Sequence, residues 1–380
     1  MVVDLAKSRE KIDAIDKEIA RLFEERMRVA TDVAAYKKST GKKVFDPQRE
    51  EEKIAALREL TDNEFNKVGI EDLFRQIMSI SRKYQYRMLD SADEKGIPFK
   101  QVDEMDVDAG TKVVFFGEHG AFTEQAKEEI FGSDVTSFRK EKFRDIVEAV
   151  SKGDAKYGVL PIENTSTGGI ADIYDLLVEY DVTIVAEHVV RVEQDLLALP
   201  EAKFEDIKKV YSHPQGILQS AKFLSDNPQI VAENFSSTSG AAKKVAEEKD
   251  ITQAAIASSR AGEYFGLQVL KKGINFENQN YTRFIVISNE KIFLSDAEKI
   301  SLCFEIKHQA GALYNMLANF YYNGLNLTKI ESRPMENRNW EYRFFVELEG
   351  NLNASEVRNA LASIEECASQ IRILGTIAKR

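Results

Sequence analysis

The 380-residue sequence predicts three structural classes in series: an all-α segment, an α/β body and an α+β tail. Three observations carry that reading. From Asp4 to Lys38 there is no glycine or proline, and the apolar residues recur every seven positions. From Lys112 to Ser288, strand-like apolar runs alternate with helix-like ones. Residues 297–380 then read as strand, helix, strand, strand, helix, strand.

With Leu5 at heptad position a, the a column is Leu5, Ile12, Ile19, Arg26 and Val33, and the d column is Ser8, Ile15, Leu22, Val29 and Tyr36. A helix of about 35 residues is roughly 50 Å long. That is too long for a small globule to cover, so a second copy of the chain is expected against it, in a dimer or tetramer. Asp46-Pro47 reads as an N-cap and first-turn proline opening a helix to about Leu60, and Ile70 to Met88 gives a third helix. Residues 1–90 are thus expected to form a helical domain. Residues 91–110 are polar and acidic, contain Gly96, Pro98 and Gly110, and read as a linker.

Residues 111–290 give a strand at Lys112–Phe116, helical patterns at 121–131 and 143–152, a strand at Tyr157–Pro161, a helix from Ile170 and a strand at Val182–Val190. A second set runs through Val210–Ser212, a helix at 215–225 and Ala254–Ala257, and the chain returns with Phe284–Ser288. The expected body is two α/β lobes facing one cleft, a periplasmic-binding-protein-like plan. In residues 297–380 the strands are expected at 299–307, 325–333, 340–348 and 371–377 and the helices at 311–323 and 354–368, the βαββαβ order of a ferredoxin-like sandwich. Asn353, with Glu356 three residues on, reads as an N-cap of the second helix.

The composition, 43% hydrophobic and 30% charged with 7 prolines, suits a folded core. A net charge of −11 argues against nucleic-acid and anionic-membrane partners, which need a dominant basic face. Residues 1–90 depart from this acidity, with 19 Lys and Arg against 18 Asp and Glu. Cys303 and Cys367 are the only cysteines, too few for a disulfide framework and without metal-knuckle spacing, so no metal or cofactor is expected. With no apolar leader-like segment in Met1–Asp13, the expected location is cytoplasmic.

Arg26 at an a position is the chemical oddity of the first helix, because the seam around it is Ile, Leu and Val. Arg9 and Lys37 flank the same seam. These cations either salt-bridge to neighbouring helices or line a pocket for a small dianion, since guanidinium forks hold carboxylates and burial strengthens each contact. Arg49 and Glu50 follow the Asp46 cap, and Ser81 and Gln85 stand four apart on the third helix. The ordered set Arg9, Arg26, Lys37, Asp46, Arg49, Glu50, Ser81 and Gln85 resembles the substrate-binding set of the all-helical chorismate mutase family, in which two intertwined chains share each site. The resemblance implies that Arg9, Arg26 and Arg49 hold the two carboxylates of chorismate, that Lys37 and Gln85 donate to the ether oxygen, and that Glu50 binds the ring hydroxyl. Asp46 is equally accounted for as a cap, and Ser81 as a surface hydroxyl.

In the body, Gly158-Val-Leu-Pro-Ile-Glu163-Asn164-Thr165-Ser166-Thr167-Gly-Gly169 runs from a strand through a polar loop to a helix start. This is an anion site or simply a capped turn. Together with Gly117-Glu-His-Gly-Ala-Phe-Thr123, Tyr211-Ser-His-Pro-Gln215 and Asn280-Tyr-Thr-Arg-Phe284, it resembles prephenate dehydratase over roughly residues 112–288, with Glu118 standing where that family's first motif carries proline. The resemblance implies loss of ring hydroxide and CO2 from prephenate. Thr282 is the candidate donor, Arg283 a carboxylate clamp, and Thr123, Glu163, Asn164, Thr165, Ser166, Ser212, Gln215 and Thr238 substrate contacts. Glu163 and His213 are titratable alternatives to Thr282.

The tail offers Gly311-Ala312-Leu313 and Glu331-Ser332-Arg333-Pro334 without a nucleophile or base. These resemble the two motifs with which ACT regulatory domains bind phenylalanine between paired domains. The resemblances together imply a bifunctional enzyme acting on chorismate and prephenate and feedback-inhibited by L-phenylalanine. Two other readings compete: a dehydratase whose helical domain serves only dimerisation, and a non-catalytic amino-acid sensor.

Overall fold

The structure is a computed structural model that describes residues 4–89, 98–276, 279–306, 308–335 and 341–380. The chain divides into two compact units, residues 1–97 with 303–372, and residues 98–302 with 373–380.

The first unit opens with α1 (Leu5–Thr40), capped by Asp4, whose carboxylate accepts from the backbone of Ala6 and Lys7, and ended by Gly41 at φ 66°. Helix α2 (Pro47–Arg58) follows the expected Asp46 cap, with Oδ1 accepting from Arg49 N at 3.1 Å. Helix α3 (Glu64–Leu89) starts well before the expected Ile70. The reason is local: Asn63 accepts from Asn66 N at 3.1 Å and begins the helix there. Ile54, Leu57 and Met78 form a small core with Ile70 and Phe74. The a and d columns of α1 stay outside it, with Ile12 55%, Ile15 59% and Ile19 52% exposed in the single chain.

The same unit holds residues 303–372 of the tail, and the tail as a whole has the expected βαββαβ order: Lys299–Glu305, Ala312–Tyr322, Leu327–Pro334, Tyr342–Glu349, Ser355–Cys367 and Gln370–Lys379. Across the sheet, Leu327–Pro334 lies at the edge, then Tyr342–Glu349, Lys299–Glu305 and Gln370–Lys379. The expected Asn353 cap is not formed. Ala354 occupies that position with no side-chain cap, and Arg358 donates to Asn353 O at 3.1 Å. Helix α3 packs on both tail helices. Lys83, 5% exposed, donates to Ala318 O at 3.2 Å and lies 3.1 Å from the Tyr322 ring centroid, while Tyr322 Oη donates to Gln76 Oε1 at 2.9 Å.

Among the described residues, the second unit contains two large sheets with flanking helices and one two-stranded sheet. The first sheet, in spatial order, is Thr136–Lys140, Lys112–Phe116, Tyr157–Asn164, Tyr281–Ser288, Thr183–Arg191 and the end of Gln370–Lys379. Helices Phe122–Phe131, Phe143–Ser151 and Ala171–Glu179 accompany it. The second sheet is Gln268–Lys271, Asp195–Ala198, Gln253–Ala257, Lys209–Ser212 and Val231–Asn234. Each lobe has its own apolar core, around Tyr157 and Phe284 in the first and around Ile256 and Leu197 in the second. Helices Thr238–Glu248 and Ser259–Phe265 and several short strands were not anticipated, because their apolar runs are short. The expected helix at 215–225 is two, Pro214–Gln219 and Ala221–Ser225, broken at Ser220.

The expected linker is partly structured. Lys100–Val102 pairs in parallel with Ile292–Leu294, and Val102 and Met105 pack on buried apolar residues, so residues 98–110 belong to the second unit. Only three residues pair, too few to leave a periodic signal in the sequence. The remainder, residues 91–97, lies outside the described residues.

Burial and the neighbouring Arg82 charge push the Lys83 ammonium down from its ordinary 10.5 to about 7. Between those values the unfolded chain binds more protons than the folded one, so this group makes stability rise with pH across that window. Urea unfolding of the native chain and of Lys83→Met, followed by helix content at several pH values, should show that rise in the native chain and a flatter profile in the variant.

Candidate active sites

In the first unit, Arg26 emerges half-buried from the middle of α1. Its Nη1 is buried and has no hydrogen-bond partner. Burial lowers its pKa while the nearby Glu50 carboxylate opposes the shift. An orphaned buried guanidinium nitrogen is costly unless an anion meets it, and this is the strongest local sign of a ligand. Gln85 and Ser81 are both buried on α3, with Nε2 donating to Oγ at 3.5 Å, and Gln85 Oε1 is likewise unpartnered. Lys37 Nζ donates to Val44 O at 2.5 Å. Glu50 is paired with Arg82, an arginine that sequence reasoning passed over, and Arg82 also lies 4.7 Å from the Phe45 ring centroid. Arg9 and Arg49 are exposed. Within a single chain, Arg26, Glu50, Ser81 and Gln85 thus hold interior or partly interior positions, and Arg9 and Arg49 sit on the surface.

In the second unit, antiparallel pairing sets Thr282 opposite Asn164 and Arg283 opposite Glu163. Asn164 is buried. Its Nδ2 donates to Asn280 Oδ1 at 2.8 Å, Thr282 Oγ1 at 3.0 Å and Tyr281 O at 3.1 Å, while its Oδ1 accepts from Ser166 N at 2.9 Å. Because Thr282 Oγ1 accepts from the amide, its own O–H is left to donate elsewhere. Thr165 closes the loop against the same strand, donating through Oγ1 to Gln279 O and accepting from Tyr281 N, both at 3.0 Å.

Arg283 is not presented as a clamp. Its guanidinium meets Glu163 at 2.8 Å and Glu187 at 3.0 Å, and Glu187, 4% exposed, also pairs with Lys299. Glu163 and Arg283, both expected at substrate, are thus engaged with each other. Sequence spacing carried no hint of Glu187, which sits on the neighbouring strand.

From the second lobe, Gln215 Nε2 donates to Thr167 Oγ1 at 3.3 Å, which brings that expected substrate contact to the Asn164–Thr167 loop. Ser212 is fully buried and donates to Ile256 O at 2.7 Å, which gives it a structural bond of its own. Thr238 begins the Thr238–Glu248 helix beside Gly216, where a Cβ would meet Ser212 Oγ at 2.5 Å and Thr238 Cγ2 at 3.3 Å. His213 caps its helix, with Nδ1 accepting from Gln215 N at 3.2 Å, and burial lowers its pKa and favours the neutral ring. Thr123 is buried in the first turn of Phe122–Phe131. Glu118, the departure from the family motif, is held by Arg139 at 2.7 Å.

The loop before Thr123 ties the lobes together: Ser239 donates to His119 O, and Ser258 Oγ donates to Gly120 O at 2.7 Å. Gly120 has φ +77°, and a Cβ there would lie 2.5 Å from Ala261 Cα. Gly120→Ala should cost about 1–3 kcal/mol through this backbone clash, read as a lowered thermal midpoint, while Gly132→Ala, which meets nothing within 4 Å, shows the cost of positive φ alone.

The family model described as chorismate mutase type II matches residues 8–86, and that described as prephenate dehydratase matches residues 113–292. A bifunctional chorismate mutase/prephenate dehydratase from Aquifex aeolicus is 32% identical over 99% of this chain and 98% of its own length. Among solved structures, a prephenate dehydratase from Arthrobacter aurescens in complex with L-Phe is 28% identical with TM-score 0.66, covering 70% of this chain and 90% of its own. A structure described as a novel type of quorum quenching acylase is 29% identical, also with TM-score 0.66, covering 71% and 98%. The near-complete match in both directions places both domain types on one chain, which belongs to the bifunctional chorismate mutase/prephenate dehydratase family.

Proposed function

We propose that residues 1–90 rearrange chorismate to prephenate around Arg26, and that residues 111–290 convert prephenate to phenylpyruvate around Thr282. The first reaction needs no nucleophile or metal. Fixing the compact conformer and stabilising negative charge on the ether oxygen as its bond to carbon breaks is sufficient. The observation that carries this half is the buried, unpartnered Arg26 nitrogen. Lys37 and Gln85 are assigned to the ether oxygen, Arg9 and Arg49 to carboxylates together with Arg26, and Glu50 to the ring hydroxyl. The exposed apolar columns of α1 support a paired second copy, which would bring further cations to each site.

In the second reaction the prephenate dianion loses CO2 and ring hydroxide and leaves phenylpyruvate. The electron pair of the carboxylate bond enters the ring as the carbon–oxygen bond breaks, and aromatisation drives the step. The Asn164–Thr282 hydrogen bond carries this half, because it directs the hydroxyl proton outward to the departing oxygen. Asn164, Thr165, Ser166, Gln215 and Thr238 are assigned to substrate.

The strand order of residues 297–380 supports a ferredoxin-like ACT domain. The Arthrobacter relative's L-Phe complex supports phenylalanine as its ligand, at Gly311, Ala312, Leu313 and Glu331 to Pro334. Inhibition is then a two-state coupling in which phenylalanine binds the inactive arrangement better. No helix among the described residues is long and apolar enough to cross a membrane.

One incubation tests all three roles. Chorismate should yield prephenate and then phenylpyruvate, and phenylalanine should suppress the second product. Arg26→Ala should lower mutase kcat/KM by about 10²-fold or more while prephenate conversion continues. Thr282→Ala should lower phenylpyruvate formation by about 10²–10³ with mutase activity and phenylalanine binding retained. Survival of mutase activity in the first variant removes Arg26 from its assigned role, and only a native chain that leaves chorismate unchanged leaves the helical domain a dimerisation module.

A further inference from the structure

Asn280 belongs to the Asn280-Tyr-Thr282-Arg283-Phe284 motif, and nothing above gives it a role. It is 1% exposed. Its backbone carbonyl accepts from Val192 N at 2.8 Å, tying it to the crossing between the lobes. Its side-chain oxygen accepts from Asn164 Nδ2 at 2.8 Å and from Ser166 Oγ at 3.4 Å, whereas its own Nδ2 is buried without a partner. The amide is therefore oriented by its acceptor end alone. Turning it over would set two amide donors against each other at Asn164. A buried donor left unsatisfied is unfavourable, and an apolar or smaller residue would relieve it.

Asn164 explains the arrangement. Its two amide protons face three acceptors: Asn280 Oδ1, Tyr281 O and Thr282 Oγ1. Asn280, the shortest of the three contacts, takes one proton, and the other is thereby aimed at Tyr281 O and Thr282 Oγ1. With Ser166 N on Oδ1, the Asn164 amide plane is fixed at three points. Without Asn280 it can turn towards Tyr281 O and leave the Thr282 hydroxyl free to rotate.

We infer that Asn280 is a positioning residue for the dehydratase reaction: it orients Asn164, which in turn orients the Thr282 hydroxyl towards the departing ring oxygen. The inference rests on the dehydratase reading above. It also explains why the unsatisfied donor is tolerated. The geometry useful at Thr282 is kept at the expense of local satisfaction, so removing Asn280 should impair the chemistry more than the fold.

The test is steady-state turnover of prephenate by the full chain and by Asn280→Ala, Asn164→Ala and the double variant, with thermal unfolding of each. Asn280→Ala should lower kcat about tenfold to a hundredfold with KM within about threefold and the thermal midpoint little changed. The double variant should turn over no more slowly than Asn164→Ala alone, because both act through one hydrogen bond. A purely structural Asn280 would instead lower the thermal midpoint and leave kcat near native, and additive losses in the double variant would equally overturn the assignment. If the native chain forms phenylpyruvate and Thr282→Ala does not, the dehydratase reading stands independently of how Asn280→Ala behaves. A native chain that forms none removes both.

Discussion

The antiparallel pairing of Tyr157–Asn164 with Tyr281–Ser288 is the constraint on which the second unit depends. It joins segments 118 residues apart and sets Asn164 and Thr282 on one rung. A one-residue slip would turn every side chain of the strand to the opposite face and take Phe284 and Val286 out of the core they share with Tyr157 and Val159. That slip is resisted on both sides, because Tyr281–Ser288 is also in register with Thr183–Arg191. A register shift between Arg283 and Phe284 changes the pairing just beyond the polar rung, so the apolar part of the strand serves the core and the polar end serves the loop at Thr165–Thr167.

Helix α3 plays the corresponding part in the first unit. Ser81 and Gln85 are buried on it where it packs against its own domain, and Gln76 and Lys83 meet the Ala312–Tyr322 helix. Lys83 is there largely desolvated, which disfavours its charge, while the Ala318 carbonyl and the Tyr322 ring favour it. A helix committed on two faces has little freedom to shift without disturbing both neighbours. Its apolar contacts with α2 are few, so polar and cation–π contacts hold a larger share of this packing than in the lobes.

Sequence reasoning reached the element types well where the signal was periodic or continuous. The heptads of α1, the Asp46-Pro47 start of α2, the Lys112–Phe116 strand and the βαββαβ tail are of this kind. It failed where side chains far apart in sequence decide the outcome. Glu187 and Arg82 gained their roles only through partners on other elements, and no spacing rule connects Glu187 with Arg283 or Arg82 with Glu50. The same blindness made Arg283 look available. An arginine following a candidate donor suggests a carboxylate clamp until its two carboxylate partners are in view. Lys100–Val102 was missed because a three-residue strand has no period to detect.

The engaged state of Arg283 has a chemical rationale that the motif alone conceals. Glu163, Arg283, Glu187 and Lys299 alternate in sign along one connected chain of ion pairs, so their formal charges cancel beside Thr282. Both reactions act on small dianions, yet they ask opposite things of the protein. Rearrangement keeps both carboxylates throughout, so cations such as Arg26 can grip them in ground and transition state alike. Dehydration turns one carboxylate into neutral CO2. A guanidinium bound tightly to that group would stabilise the starting state more than the transition state and slow the step. Under the proposed assignment, the neutral amides and hydroxyls of Asn164, Thr165, Ser166 and Gln215 orient the substrate without opposing the loss of that charge. The net charge of −11 thus says little about either site. What matters is which few cations are left unpaired locally: at Arg26 one guanidinium nitrogen is, while the arginine next to Thr282 is held by carboxylates of the protein itself.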